Sequence, residues 1–185
     1  MTPTETLVHE HEVILAVVEA AAREAEGIRE NGSVDVGRVG KMADFFAGFA
    51  DACHHAKEEK RLFPRLRERG ALDKGCPIEV LEREHEQGRE HVRAVRAALP
   101  RVSEGDAGAV AEVADHLADY AAMLRDHIRR ENDVLFPCAD RHLTPADQAE
   151  LAEGFERVER EETGEGVHER YHALARELTG RAAGA

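Results

Sequence analysis

Residues 54–64 read HHAKEEKRLFP, and residues 127–137 read HIRRENDVLFP. In each stretch a histidine precedes a glutamate by four positions, and the glutamate precedes a proline by six. His54 and His127, Glu58 and Glu131, Phe63 and Phe136, and Pro64 and Pro137 are all separated by 73 residues. Upstream in each half stands a Glu-His pair, Glu10-His11 and Glu84-His85, offset by 74. The chain thus reads as two helical hairpins, each with Glu-His on one helix and His-x3-Glu on the next. Core packing alone does not require such a duplication of polar residues.

The surrounding pattern is helical almost throughout, with no sustained alternation of apolar and polar residues. Thr2, Pro3 and Glu5 predict a capped first helix that stops near Gly32. A second runs from about Asp35 to Arg69, and a third starts at Pro77 and fades at Pro100. A fourth, capped within 103–106, reaches about His142. Four long helices with short loops predict an all-α, up-down-up-down antiparallel four-helix bundle over residues 1–143. Residues 144–185 predict a C-terminal helical appendage packed on the same domain, with one helix from Thr144-Pro145 and another after the break at Gly164 and Gly166.

Residues four apart on a helix project from one face, so His54 with Glu58, and His127 with Glu131, can grip one centre. All six repeat residues lie in apolar stripes: His11 between Leu7 and Ile14, His85 between Leu81 and Val92, His127 and Glu131 in line with Leu124 and Leu135. A carboxylate in an apolar core costs several kcal/mol unless paired or metal-bound. Four imidazoles with two carboxylates suit iron, manganese or zinc and suit Ca²⁺ or Mg²⁺ poorly. Two glutamates available as bridges account better for two metals than for one.

Composition removes several other functions. There are 38 acidic against 25 basic residues, a net charge of −13, with no basic patch dense enough to hold a nucleic acid. No apolar run is long enough to span a membrane and no leader-like N-terminus stands out, so a cytoplasmic protein is expected. Three cysteines argue against a disulfide framework; Cys53 and Cys138 read as buried thiols. Neither a P-loop nor a dinucleotide or nucleophile-elbow motif is present.

Taken together and in this order, Glu10-His11, the 54–64 block, EHEQGR at 84–89 and the 127–137 block resemble the hemerythrin-like (HHE) cation-binding domain over about residues 5–142. That resemblance implies a four-helix bundle around two non-haem iron ions joined by an oxo or hydroxo bridge. It implies His11, His54, His85 and His127 as terminal ligands and Glu58 and Glu131 as bridges. Oxygen-carrying members have a further histidine where this chain has Arg89, and His-x4-Asp where it has His127-x3-Glu131. The implied role therefore moves to the wider bacterial group: binding O₂, peroxide or NO as carrier, sensor or scavenger. The alternatives are an iron-storing or iron-sensing module and a peroxidase- or catalase-like enzyme. With four motif-matched histidines, one nitrogen is missing relative to the carriers. His168, approached through Gly164 and Gly166, is the candidate donor, with His55, Glu159, Glu162 and solvent as rivals. Arg89 points near the site, where it can pair with a carboxylate or steer an anion.

Overall fold

The computed structural model describes residues 1–164 and 166–180, with the side chains of Glu162 and Thr163 outside that description. It is all-α, with no strand among the described residues. Helix α1 is Pro3–Asn31, opened by the Thr2–Glu5 capping box and closed by Gly32 in the left-handed region (φ 66°). Helix α2 covers 36–68, starting as Val36–Phe45, passing through wide π-type turns at Phe46–His55 and Glu58–Leu62, and ending as Phe63–Glu68. Helix α3 is Ile78–Ser103. Helix α4 covers 107–142 and has its own π turn at Glu131–Leu135. Helix α5 covers 145–163 and α6 is Val167–Thr179.

Polar pairs between helices set the directions. Glu24 meets Arg38 and Glu10 meets His54 across α1 and α2. Glu19 meets Arg125 and Arg29 meets Asp115 across α1 and α4. Arg67–Glu82, Asp51–Arg89 and Asp44–Arg96 ladder α2 against α3. In every ladder the numbers rise on one helix as they fall on the other, so neighbouring helices are antiparallel.

Two apolar cores lie above and below a polar layer. The upper core includes Ile14, Val17, Phe46, Phe49, Val95 and Leu117; the lower includes Leu7, Leu62, Leu66, Leu81 and Leu135. The C-terminal helices join both. Leu151 and Phe155 of α5 enter the lower core, and Tyr171, Ala175 and Leu178 of α6 the upper. Gly48 makes the second contact possible, because a Cβ there would lie 1.7 Å from the Tyr171 hydroxyl. Asp147 anchors the start of α5: it completes a capping box with Thr144 and accepts from Arg65 at 2.5 Å and Arg69 at 2.8 Å.

Two sequence expectations need correction. Cys76 and Cys138 form a disulfide (Cα–Cα 5.9 Å), tying the loop before α3 to the end of α4. The odd count misled because proximity in the fold, not parity, decides pairing; Cys53 is buried. Helix α3 runs through Pro100 to Ser103, since a proline in the last turn removes only one helical hydrogen bond. Pro64 and Pro137 lie within α2 and α4, as the expected helix bounds require. Each sits in the first turn after a π turn, where α-type backbone resumes.

Candidate metal centre

The polar layer holds His11, His54, Glu58, His85, His127 and Glu131, each no more than 1% exposed. The four helices of the bundle contribute to it. Each His-x3-Glu pair places both side chains on one face, and the π turn that starts at the glutamate lets the helix continue with Leu-Phe facing the lower core.

All four imidazoles turn Nε2 inward. His11 Nε2 lies 2.9 Å from His54 Nε2, and His85 Nε2 lies 3.1 Å from His127 Nε2. Two nitrogens at right angles on one metal, each bonded at about 2.1 Å, stand about 3.0 Å apart, so each pair has the spacing of ligands to a single ion. The carboxylates span the pairs. Glu131 puts Oε2 3.1 Å from His11 Nε2 and Oε1 3.0 Å from His127 Nε2. Glu58 turns Oε1 toward His54 (3.9 Å) and Oε2 toward His85 (3.4 Å). His11, His54, Glu58 and Glu131 converge as one potential ligand set, and Glu58, His85, His127 and Glu131 as a second that shares both glutamates.

The Nδ1 atoms point outward, each to a fixed acceptor: Asn132 for His11 (2.8 Å), Glu10 for His54 (2.8 Å), Glu59 for His85 (2.7 Å) and Glu84 for His127 (2.9 Å). Such acceptors fix the tautomer and aim of a metal-binding imidazole. Their arrangement repeats the duplication. The residue after each paired glutamate, Glu59 or Asn132, serves a histidine of the other hairpin, and Glu10 and Glu84 serve the next helix. Three of these carboxylates are held in turn by a cation: Glu10 by Lys57, Glu59 by Arg89 (2.6 Å) and Glu84 by Arg130. Phe136 stacks on His11 (5.4 Å) and Phe63 on His85 (5.9 Å), which gives the repeated Leu-Phe-Pro its aromatic function.

The electrostatics show a centre short of positive charge. None of the four oxygens of Glu58 and Glu131 has a hydrogen-bond partner. Burial alone would lower the basicity of His11, His85 and His127, yet the glutamates outweigh it. His11 rises, His127 reaches about 9 and His85 goes well above the usual range. Burial would raise Glu131, but His127 and His11 hold it well below the carboxylate range. Orphaned carboxylate oxygens, convergent Nε2 atoms and a nitrogen–oxygen donor set fit a pair of borderline cations such as iron.

Among the remaining candidates, His55 converges with His85 and His127 as a further potential ligand set, while His168, Glu159 and Arg89 fall elsewhere. His168 is not brought together with the six. Its Nε2 lies 3.9 Å from Glu10 Oε1, with its ring against Phe49 and His172, because α6 runs along the outside of α2. Glu159 pairs with Lys57 at 2.5 Å, and the Glu162 side chain lies outside the described residues. His55 does turn inward, stacking on His85 with ring centroids 3.8 Å apart. Arg89 is engaged by Asp51 (2.9 Å) and Glu59. Lys57, Glu59, Asn132 and Arg130 escaped the sequence reading, although Glu59 and Asn132 occupy equivalent places in the two copies.

The family described as "Hemerythrin HHE cation binding domain" matches residues 2–139. An uncharacterized protein of Mycobacterium tuberculosis (strain H37Rv) is 26% identical over 89% of this chain and 64% of its own length. The iron-sulfur cluster repair protein DnrN of Neisseria gonorrhoeae is 36% identical over 45% of this chain and 54% of its own. The iron-sulfur cluster repair protein YtfE of Pectobacterium carotovorum is 31% identical over 46% and 40%. The chain thus spans less than two thirds of the length of these relatives. No solved structure matches it significantly. Among the described residues, no helix is long and apolar enough to cross a membrane.

Proposed function

The chain belongs to the hemerythrin HHE cation-binding family, and on that premise we propose that it holds two iron ions and binds O₂, peroxide or NO there as a carrier, sensor or scavenger. His11 with His54 would hold one ion and His85 with His127 the other, with Glu58 and Glu131 bridging. The observation that carries this reading is the division of each carboxylate: one oxygen toward each histidine pair, and none hydrogen-bonded. An iron pair held there would supply electrons to a small bound ligand. The protein aims the imidazoles through Asn132, Glu10, Glu59 and Glu84, and its two apolar cores keep bulk water from the layer. His168 stands outside this set, as a neighbour of Glu10.

Metal analysis of aerobically purified protein, with its optical spectrum, tests the reading. Two irons per chain with oxo-to-iron charge-transfer absorption in the near-UV are expected. One metal per chain, or zinc without such bands, would sink it. A second reading, iron storage or donation, draws on the names of the DnrN and YtfE relatives. Release of iron to an acceptor without turnover of peroxide or NO would favour it.

A further inference from the structure

Away from the polar layer, a third pair of histidines repeats the geometry of the two central ones. His91 of α3 and His116 of α4 face each other with their Nδ1 atoms 3.0 Å apart. The inward nitrogens of the central pairs stand 2.9 and 3.1 Å apart. The rings agree as well. Those of His91 and His116 have centroids 5.2 Å apart and planes at 61°. The values are 4.6 Å and 55° for His11–His54, and 4.8 Å and 62° for His85–His127. His91 follows His85 by six residues and His116 precedes His127 by eleven. At the helical rise this sets the pair about 9 Å up α3 and about 16 Å back along α4 from the centre. It is a separate place.

Both rings are half-buried. Burial, with His116 alongside, holds His91 below its ordinary value, so at neutral pH it is uncharged, the form that ligates a metal. The other charged groups acting on His91 are two carboxylates, Asp119 and Glu90. Asp119 is exposed and stands one turn beyond His116 on α4. A hydrogen bond between the rings engages one lone pair and leaves those carboxylates unanswered. A divalent cation between the nitrogens takes a lone pair from each ring and balances the negative charge as well.

We propose that His91 and His116 form a second, independent metal site: a clasp between α3 and α4 for one borderline divalent cation of the zinc, copper or nickel class, with Asp119 and water completing its shell. The site does not depend on the two-iron reading. Its ligands come from two helices and are apart in the unfolded chain, so occupancy stabilises the folded hairpin.

Zinc is the probe, titrated into the full-length protein as purified, in competition with a chromophoric chelator and with all metals counted on the same samples. One zinc per chain beyond the central metals is expected, and a melting temperature that rises with zinc. His91→Ala and His116→Ala should each weaken this binding by more than the roughly ten-fold that loss of a mere supporting group costs. Both should also abolish the zinc-dependent rise in melting temperature while the central metals stay at the parent level; if one variant fails to fold, the other serves. Asp119→Asn should weaken binding by less. His172→Ala, which breaks the His168–His172 ring pair on α6, should leave it as in the parent. A parent that takes up no zinc beyond its central metals would make the pair a hydrogen bond only and overturn the proposal. Zinc binding that persists undiminished in the His91 and His116 variants, or that is lost in His172→Ala instead, would overturn it equally.

Discussion

Lys57, with none of its side chain exposed, sets its ammonium group on the carboxylate of Glu10. Glu10 in turn receives His54 Nδ1, so a buried lysine stands two hydrogen bonds from the metal-facing nitrogen. Burial would raise the Glu10 carboxyl, but His54 and Lys57 hold it down at about 2.

Lys57→Met should therefore cost about 3 kcal/mol, because it strands a buried carboxylate. Glu10→Gln combined with Lys57→Met should recover most of that stability while weakening iron binding about ten-fold or more, because the His54 acceptor loses its charge. Denaturant melts of the single and double variants, beside iron titrations, check both halves. Equal destabilisation in single and double variants would refute the coupling.

Glu58→Gln separates the metal-bound from the metal-free state. Without metal, it removes a buried charge that has no hydrogen bond, so the variant should be at least as stable as the metal-free parent. With iron present the order should reverse, and iron content should fall below two per chain. Thermal melts with and without chelator read the sign change. A variant less stable in both states would argue against a bridging role.

Asp147 gives an acid-dependent prediction. Arg69 above all, with Thr144 and Arg65, holds its carboxyl well below the ordinary value of 3.8. A depressed carboxyl contributes stability above its unfolded pKa and loses it as pH falls toward the folded one. Asp147→Asn should thus lower the melting temperature by a constant amount between pH 5 and 8, and the gap should narrow below about pH 4. A gap that widens on acidification would reverse the sign and remove Asp147 as the anchor of α5.

The Cys76–Cys138 bond closes a loop with a sequence separation of 62. Cross-linking entropy for such a loop corresponds to about 4 kcal/mol, with about 2–4 kcal/mol typical in practice. Cys76→Ser or Cys138→Ser should lower the melting temperature by several degrees and leave iron content at the parent level, since neither sulfur lies in the polar layer. Loss of iron in either variant would show that the clasp also positions α4.

The bundle and the convergence of His11, His54, Glu58, His85, His127 and Glu131 were legible because polar residues repeated at helical spacing within apolar stripes. The acceptors were harder to see. Glu59 and Asn132 sit about 100° around the helix from the glutamates they follow, a position that reads as solvent-facing when each helix is considered alone. They reach histidines of the other hairpin, a relation no single-helix projection contains. Counting nitrogen donors pointed to His168, but α6 is positioned by Tyr171 in the notch at Gly48, which sets that ring behind Glu10. The cysteine pairing is a property of the folded chain alone.

The π turns at Glu58–Leu62 and Glu131–Leu135 carry a consequence for how the two halves can change. A helix with such a turn keeps two angular settings, one for the residues before it and one for those after. His54 and His127 belong to the first setting; Phe63 and Phe136, which cover the histidines of the other hairpin, belong to the second. Deleting one residue inside either turn would leave the histidine where it is and swing the aromatic lid about 100° off its partner. Each glutamate thus works as a clutch between ligand and lid, letting one half of a helix be retuned without turning the other.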